Sequence, residues 1–503
     1  MSERTADRLA LAACLTALLL ALALGVMHRI GSFNLETDFY NWYAPQAVGL
    51  LHGEPYTFRH NPPGYILILT GATWLLGDPF TAGKLLTAFA AAGLGWVCYR
   101  LVRALFDPLV ALGATVLLLF SVVQYSFRAG PDLIGALATV VPIWLVLRRE
   151  PISVRDAVVA GAVAGCAYLL RANTIFLLPG LGLALLVLPA GLALRQRLRL
   201  PALLVVGFLV ITLPWFAWNA ARYGSPFAGT PQLQVALHFY APSGDMYGEQ
   251  MSLYEGKFHS LLDVLTYRPT RVVRLYLSDV FLHYPAELAD QVVTFPAYLF
   301  LGAGLLVMLR RGGARRMTWL LVTAFGYLLL GLVGFYPRYH LFVFPVLFLL
   351  VAYFLLSEEP GTAGAPASAL GRWRWAAYFL VLAGIGYASV SAVQKAFQRE
   401  PRYLLRFAAD LRRRSRPGDA MVSGKPQLAW VAGLRRIVPA QESPDAFLAH
   451  ARDLGARYFT YSPLEASIYP ALEALRDTAA VADRFTLLFR DAESGTLVYE
   501  IRP

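Results

Sequence analysis

Twelve apolar runs follow one another along the chain, roughly at 8–27, 62–77, 82–103, 109–126, 132–147, 155–170, 174–192, 200–218, 293–309, 317–334, 339–356 and 375–393. A helix needs about 20 residues to cross a bilayer, and most of these runs approach that length. The run at 62–77 is the weakest: it opens on Pro62-Pro63-Gly64 and ends at Gly77-Asp78-Pro79. It reads as an interfacial or half-embedded helix. Beyond 398 the pattern changes to short alternating segments. Helices are expected near 401–415, 426–432, 444–455 and 464–477, strands near 420–424, 436–440 and 457–462, and a hairpin from Phe485 to Ile501. The chain therefore divides into a transmembrane domain at 1–397 and a soluble α/β domain at 398–503.

Charge decides the topology. With a cytoplasmic N-terminus and a non-spanning 62–77, every arginine cluster between spans faces inward: Arg100 and Arg103, Arg148, Arg149 and Arg155, Arg195, Arg197 and Arg199, Arg310, Arg311, Arg315 and Arg316, Arg372 and Arg374. If 62–77 crossed, the same clusters would face outward, against the positive-inside rule. About eleven transmembrane helices are expected. The first outer loop is then 28–81 and the long outer loop 219–292, and 398–503 is extracytoplasmic. The expected location is a bacterial inner membrane, with the polar loops on its periplasmic face.

Composition agrees with this class. The chain is 57% hydrophobic, has mean hydropathy +0.52 and only 15% charged residues, whereas soluble domains carry about 25%. Net charge +12 would suggest nucleic acid in a soluble protein. Here most basic residues sit in short clusters between apolar runs, so they read as orientation and lipid contact, and no nucleic-acid partner is expected. Cys14, Cys98 and Cys166 lie far apart within apolar runs, which supports neither a zinc site nor a disulfide framework.

The polar residues without an obvious structural duty gather on the outer side. The segment Gly31–Tyr65 carries Glu36 and Asp38, the aromatics Phe39, Tyr40, Trp42 and Tyr43, and then Arg59-His60-Asn61 before the Pro-Pro pair. Arg128 and Asp132 flank the next outer turn, Arg171 and Asn173 the one after, and Arg338, Tyr339 and His340 begin a later helix. Each residue has a plain alternative: Asp132 complements a helix dipole, Arg171 and Arg338 snorkel to headgroups, and His340 is an interfacial residue. Convergence on one face favours a shared cavity, because ionisable groups at a membrane are costly unless wet, paired or used.

A first outer loop with an early acid (ETDFYNWYAPQAVGLLHGEPY), a Pro-Pro motif opening a short helix (HNPPGYILIL) and a second acid at the next outer turn (RAGPDLIGA) resemble the integral-membrane glycosyltransferases of the GT-C superfamily. WFAWNAARYGSPFAGTP and YPRYHLFVFPVLF are similar to segments of the protein mannosyltransferase and aminoarabinose transferase relatives, glycosyltransferase family 39. The opening loop also resembles family 87, whose donors are polyprenol-phosphate mannose.

The resemblance implies transfer of a hexosyl or pentosyl unit, with inversion, from a polyprenyl-phosphate-linked donor to a glycan, lipid or protein acceptor. Asp38 matches the first-loop acid and is the expected general base, taking the proton of the attacking hydroxyl. Glu36 is its neighbour and Asp132 matches the second acid. A leaving lipid phosphate calls for cations. The lysine that precedes the Pro-Pro pair in aminoarabinose transferase relatives is Asn61 here, so Arg59, His60 and Asn61, backed by Arg338 and Arg171, are the expected phosphate contacts. Tyr40, Tyr43, Tyr339, His340 and Arg128 are expected to line the substrate.

Glu36, Asp38, Asp132, Asp245, Glu249 and Glu255 show no metal-ligand spacing, and a reaction without metal or other cofactor is expected. The α/β domain shows no nucleophile, phosphate-loop or metal motif and is assigned docking or support. The rival classes are a transporter or flippase, and a polymerase or ligase of lipid-linked polysaccharide. No repeat relates the two halves, and the ionisable residues lie at outer helix ends rather than mid-span, which favours catalysis.

Overall fold

The computed structural model describes residues 2–33, 35–58, 61–188, 193–227, 231–241, 254–334, 336–357, 367–438, 444–463 and 470–502. Arg59, His60, Asp245 and Glu249 lie outside the described residues. Each apolar run forms helix. The first nine α-helices are α1 (Glu3–Met27), α2 (Ala44–Leu51), α3 (Gly64–Leu76), α4 (Pro79–Arg103), α5 (Pro108–Ser126), α6 (Asp132–Leu147), α7 (Val154–Leu170), α8 (Leu177–Val187) and α9 (Leu194–Tyr223). Long helices follow at Ala297–Arg311, Ala314–Leu330, Phe344–Leu356 and Ala367–Gln398.

The chain divides into two units. The first comprises Met1–Met27, Gln46–Phe239 and Phe258–Ala396. The second comprises His28–Pro45, Tyr240–Lys257 and Phe397–Pro503. The start of the first loop thus groups with the C-terminal region, where the sequence pattern sets a boundary at 397/398.

In the first unit, α4 packs against α1, α5 and α6, α6 packs on α7, and α7 on α9. Local chemistry sets the helix starts. Asp78 caps α4 by accepting from the Thr81 amide at 2.7 Å, and Asp107 caps α5 by accepting from Leu109 and Val110 at 3.0 Å, each just before a proline at the first helical position. The α7–α9 crossing depends on missing side chains. A Cβ at Gly161 would run into the Leu204 carbonyl, and one at Gly207 into that of Val158. Small residues let the two backbones touch, as membrane helices do in the absence of a hydrophobic driving force.

Among the described residues, five segments are long and apolar enough to cross a membrane by length and composition: Glu3–Met27, Pro79–Arg103, Pro108–Ser126, Leu194–Tyr223 and Gly371–Arg414. Shorter apolar helices, among them Asp132–Leu147 and Phe344–Leu356, complete the bundle. Helix α3 has 13 residues, a reach of about 20 Å against a hydrocarbon core of about 30 Å. Large apolar side chains face outward on several helices, including Leu19 at 67%, Trp74 at 74%, Leu213 at 59% and Tyr387 at 79% exposure. Such a surface is stable against lipid and costly against water. The protein is a multi-pass membrane protein.

The second unit is built on a five-stranded sheet of order β2-β1-β3-β5-β4, where β1 is Ala420–Val422, β2 Arg435–Ile437, β3 Ala456–Tyr461, β4 Phe485–Asp491 and β5 Thr496–Ile501. β1 pairs in parallel with β2 and β3, and β5 antiparallel with β3 and β4. Strand alternation sends Val422 and Phe459 into one core and Met421 and Tyr458 into the other. The second core includes Leu404, Phe407 and Leu411 from the helix Tyr403–Arg414, and also Ile30 from the first loop. The expected elements are present. The helix foreseen at 464–477 is described only as a 3₁₀ turn at Pro470–Arg476, its first six residues and the end of the 436–440 strand lying outside the described residues.

Candidate active site

Within the first unit, three chain reversals converge on one crevice. The turn after α5 ends at Pro131, and Asp132 opens α6. At the end of α7, Arg171 adopts extended backbone, with φ −155° and ψ 112°, which breaks the helix and turns its side chain back toward α6. The Thr174 hydroxyl fixes this turn by donating to the Arg171 carbonyl at 3.0 Å. The guanidinium of Arg171 then pairs with the Asp132 carboxylate, their side chains 17% and 21% exposed. Gly135, one helical turn beyond Asp132, makes room: a Cβ there would lie 3.2 Å from Cδ and 3.3 Å from Cβ of Arg171.

The third contribution is the 3₁₀ turn Pro337–His340. Two cations lie over the Tyr339 ring, with Arg171 Cζ 4.7 Å and Arg338 Cζ 5.1 Å from its centroid. Arg338 also donates from Nη2 to the Tyr339 hydroxyl at 3.3 Å. Two guanidinium groups against one carboxylate leave the crevice locally cationic. Stacking on the ring face keeps both cations in place without neutralising them. Arg128 is near enough, with Asp132 and Arg338, to act electrostatically on Tyr125 at the end of α5.

Asp132, Arg171, Asn173, Arg338 and Tyr339 all line this crevice, with Thr139 and Phe176 among its walls. Its free volume is ≈ 10 Å³, about that of one water. The side-chain oxygen of Asn173 is buried there without a hydrogen bond among the described residues. A buried amide oxygen lacking a donor is costly, which gives Asn173, expected at this turn but without an assigned role, a place in the site. His340 is placed differently: it is 0% exposed, donates from Nδ1 to the Tyr336 carbonyl at 3.2 Å, and is enclosed by Tyr327, Tyr284 and Phe342. Asn61 stands apart from the crevice lining, and its carbonyl accepts from the Tyr56 hydroxyl at 2.7 Å.

The first-loop acids lie in the second unit, and the two are treated differently. Glu36 is 1% exposed; its oxygens lie 3.1 and 2.9 Å from His28 Nε2, and the Ser32 amide donates to it at 2.9 Å. Glu400 closes the same system from the chain's far end, accepting from the Arg29 and Ile30 amides at 2.6 and 2.9 Å and from Arg402 at 2.8 Å. Tyr40 is buried at 3% and accepts from the Gly31 amide at 3.0 Å, its ring edge-on to Trp430. Asp38, in contrast, is exposed, at the start of the π-helical turn Phe39–Tyr43. Tyr43 closes that turn, partly exposed. Asn41 in the turn accepts from Arg436, and Gln427 donates to the Ser32 carbonyl at 2.9 Å. The loop is thereby clamped at both ends while Asp38 is presented outward.

No group of three or more His, Cys, Asp or Glu side chains among the described residues is arranged to hold a metal ion. In the long-loop region a cluster without a local sequence signal appears: Asp279 lies 3.1 Å from His238 and 2.9 Å from His283, and the Tyr284 hydroxyl is 3.4 Å from His238. Desolvation pushes the His238 pKa down, outweighing the opposing pull of Asp279.

The helical bundle with its C-terminal α/β unit has the GT-C glycosyltransferase fold. A profile of the dolichyl-phosphate-mannose-protein mannosyltransferase family matches residues 60–218, about a third of the chain. Among solved structures the chain is similar to ArnT from Cupriavidus metallidurans bound to undecaprenyl phosphate, with TM-score 0.62, 14% identity, and 96% of this chain and 97% of that one covered. It is also similar to the Archaeoglobus fulgidus oligosaccharyltransferase tethered to an acceptor peptide with an NVT sequon, with TM-score 0.59, 15% identity and coverage of 98% and 74%. The same archaeal enzyme, AglB, in complex with an inhibitory peptide and a dolichol-phosphate, aligns with TM-score 0.55, 15% identity and coverage of 98% and 74%. No curated protein sequence matches the chain.

Proposed function

We propose that this protein is an inverting glycosyltransferase that moves a hexosyl or pentosyl unit from a polyprenyl-phosphate donor to a glycan, lipid or protein acceptor on the periplasmic face of a bacterial inner membrane. The observation that carries the reading is the cationic crevice of Asp132, Arg171, Arg338 and Tyr339 within a GT-C fold. Structural neighbours solved with undecaprenyl phosphate and with dolichol-phosphate support the donor class.

In the reaction an acceptor oxygen bonds to the anomeric carbon, the bond from that carbon to the phosphate oxygen breaks, and the acceptor proton passes to a base. Asp38 is that base: it is exposed on a clamped loop, and carboxylates suit the role when positioned. Arg338 and Arg171 stabilise the charge that develops on the departing phosphate. Asp132 holds Arg171 in register, and Asn173 offers its buried oxygen to a sugar hydroxyl. Arg59, His60 and Asn61 remain the proposed first-loop contributors to phosphate binding, and Tyr43 and Arg128 substrate neighbours. Glu36 acts through position: with His28 and Glu400 it fixes the loop that carries Asp38. Tyr40 serves the same clamp. No step is routed through a metal.

The test is reconstitution of the full chain in liposomes with undecaprenyl-phosphate-linked sugars and a lipid-linked glycan acceptor. The expected result is release of free undecaprenyl phosphate together with a glycosylated acceptor. Movement of intact donor across the bilayer without cleavage would instead assign the crevice to a flippase. Orientation is checked separately by cysteine labelling: Thr57→Cys is expected to react from outside and Arg149→Cys from inside.

A further inference from the structure

At the other end of the first unit, a cavity of ≈ 310 Å³ opens among the N-terminus of α1 and the C-termini of α4 and α6. It is lined by Arg100, Arg103, Arg148, Arg149, Glu3 and Asp7. The size falls at the lower edge of ligand pockets, which run about 300–1,000 Å³. Four guanidinium groups against two carboxylates leave a formal excess of two positive charges (4 − 2).

Both carboxylates are engaged. Glu3 ion-pairs with Arg103, and Asp7 accepts from the Tyr99 hydroxyl at 2.6 Å. Arg148 is tied to Asp156 at 2.6 Å and stacks over Trp144 at 5.0 Å. Arg100 lies 5.9 Å from the Trp96 ring centroid, and among the described residues neither Arg100 nor Arg149 has an ion pair. Helix C-termini favour nearby cations, which accounts for arginine at the ends of α4 and α6. It does not account for a cavity walled by them. Guanidinium forks with no carboxylate partner are suited to a phosphate, which they meet with parallel hydrogen bonds.

The level of the cavity narrows the source of that phosphate. It lies at helix ends beside Trp96 and Trp144, the residue type that marks the headgroup layer. This is also the end that the positive-inside rule assigns to the cytoplasm, where anionic lipid is the standing supply of phosphate. We infer that the cavity binds the phosphate headgroup of an anionic phospholipid of the cytoplasmic leaflet, with Arg100 and Arg149 as its direct ligands and Arg103 and Arg148 as a supporting rim. The site is separate from the outer crevice and draws on none of its residues.

Native mass spectrometry of the delipidated full-length protein tests this, with phosphatidylglycerol, phosphatidylcholine and inorganic phosphate titrated in turn. Phosphatidylglycerol is expected to bind with defined stoichiometry and phosphatidylcholine much more weakly. Arg100→Gln combined with Arg149→Gln is expected to weaken the phosphatidylglycerol adduct about tenfold. Arg149→Gln alone serves if the double variant is not monodisperse, with a proportionately smaller loss. Equal binding of phosphatidylglycerol to wild type and variant, or equal binding of the two lipids, would overturn the inference. So would displacement of phosphatidylglycerol by millimolar inorganic phosphate, which would mark a site for a soluble phosphate.

Discussion

The two ends of the helical unit use arginine in opposite ways. In the crevice, Arg171 is locked to Asp132 and both Arg171 and Arg338 rest on Tyr339, in a space of ≈ 10 Å³. In the opposite cavity, of ≈ 310 Å³, Arg103 and Arg148 are ion-paired, while among the described residues Arg100 and Arg149 have no carboxylate partner. Tight pairing gives fixed geometry, which chemistry requires, since small misplacements of reacting groups are costly. Loose clustering gives attraction with little geometry, which suits a lipid headgroup that is held but not changed. Arginine at a membrane surface is therefore not one signal: its partners decide whether it positions, binds or merely orients.

The largest expected effect separates the two ends by activity. Arg338→Ala is expected to lower sugar transfer by about a hundredfold or more, because it removes the charge proposed to meet the leaving phosphate, whereas Arg149→Gln is expected to leave turnover unchanged. Equal losses in a transfer assay would erase the distinction. Next, Gly135→Val should displace Arg171, since even a Cβ would lie 3.2 Å from its stem. A loss of about tenfold in kcat with little change in KM is expected.

A third contrast concerns the ion pairs. Asp132→Asn leaves Arg171 without its charge partner in a mostly buried setting and is expected to cost about 2 kcal/mol in unfolding measurements. Glu3→Gln breaks a pair whose acid is 75% exposed and should leave stability unchanged. The smallest effect is on pH. His238 has its pKa lowered by desolvation, and Asp279 and Tyr284 face it beside the turn that leads to Arg338. The unfolded chain then takes up this proton at a higher pH than the folded one. Stability contributed by neutral His238 is therefore full above about pH 6.5 and declines below it. Hydrogen exchange across 261–291 is expected to quicken on going from neutral to mildly acidic buffer, without change in α1 or α4.

Much of this was readable in the chain. Apolar length placed α5 and α6 almost to the residue, while α4 begins at Pro79, ahead of its apolar run, because the Asp78 cap and the proline set its start. The crevice was legible too, because Asp132, Arg171 and Arg338 each sit at a turn on one side of the topology. What stayed hidden depends on distant partners. Glu36 and Asp38 look alike two residues apart, yet Glu36 finds His28 and shares its loop's anchorage with Glu400, more than 360 residues on. Tyr40 and His340, expected to line the substrate, are buried by contacts no local pattern encodes. The arginines at 100, 103, 148 and 149 read as orientation and lipid contact, but the cavity they wall has no sequence signal, since charge counts carry no volume.

Lipid-linked sugars offer the most direct measurement of the central claim. Mass spectrometry would compare their profile in a deletion strain complemented with wild type and with Asp38→Asn, both shown to be expressed in the membrane. The account expects the Asp38→Asn strain to accumulate the same polyprenyl-phosphate sugar as the uncomplemented deletion. A profile indistinguishable from wild type would contradict it.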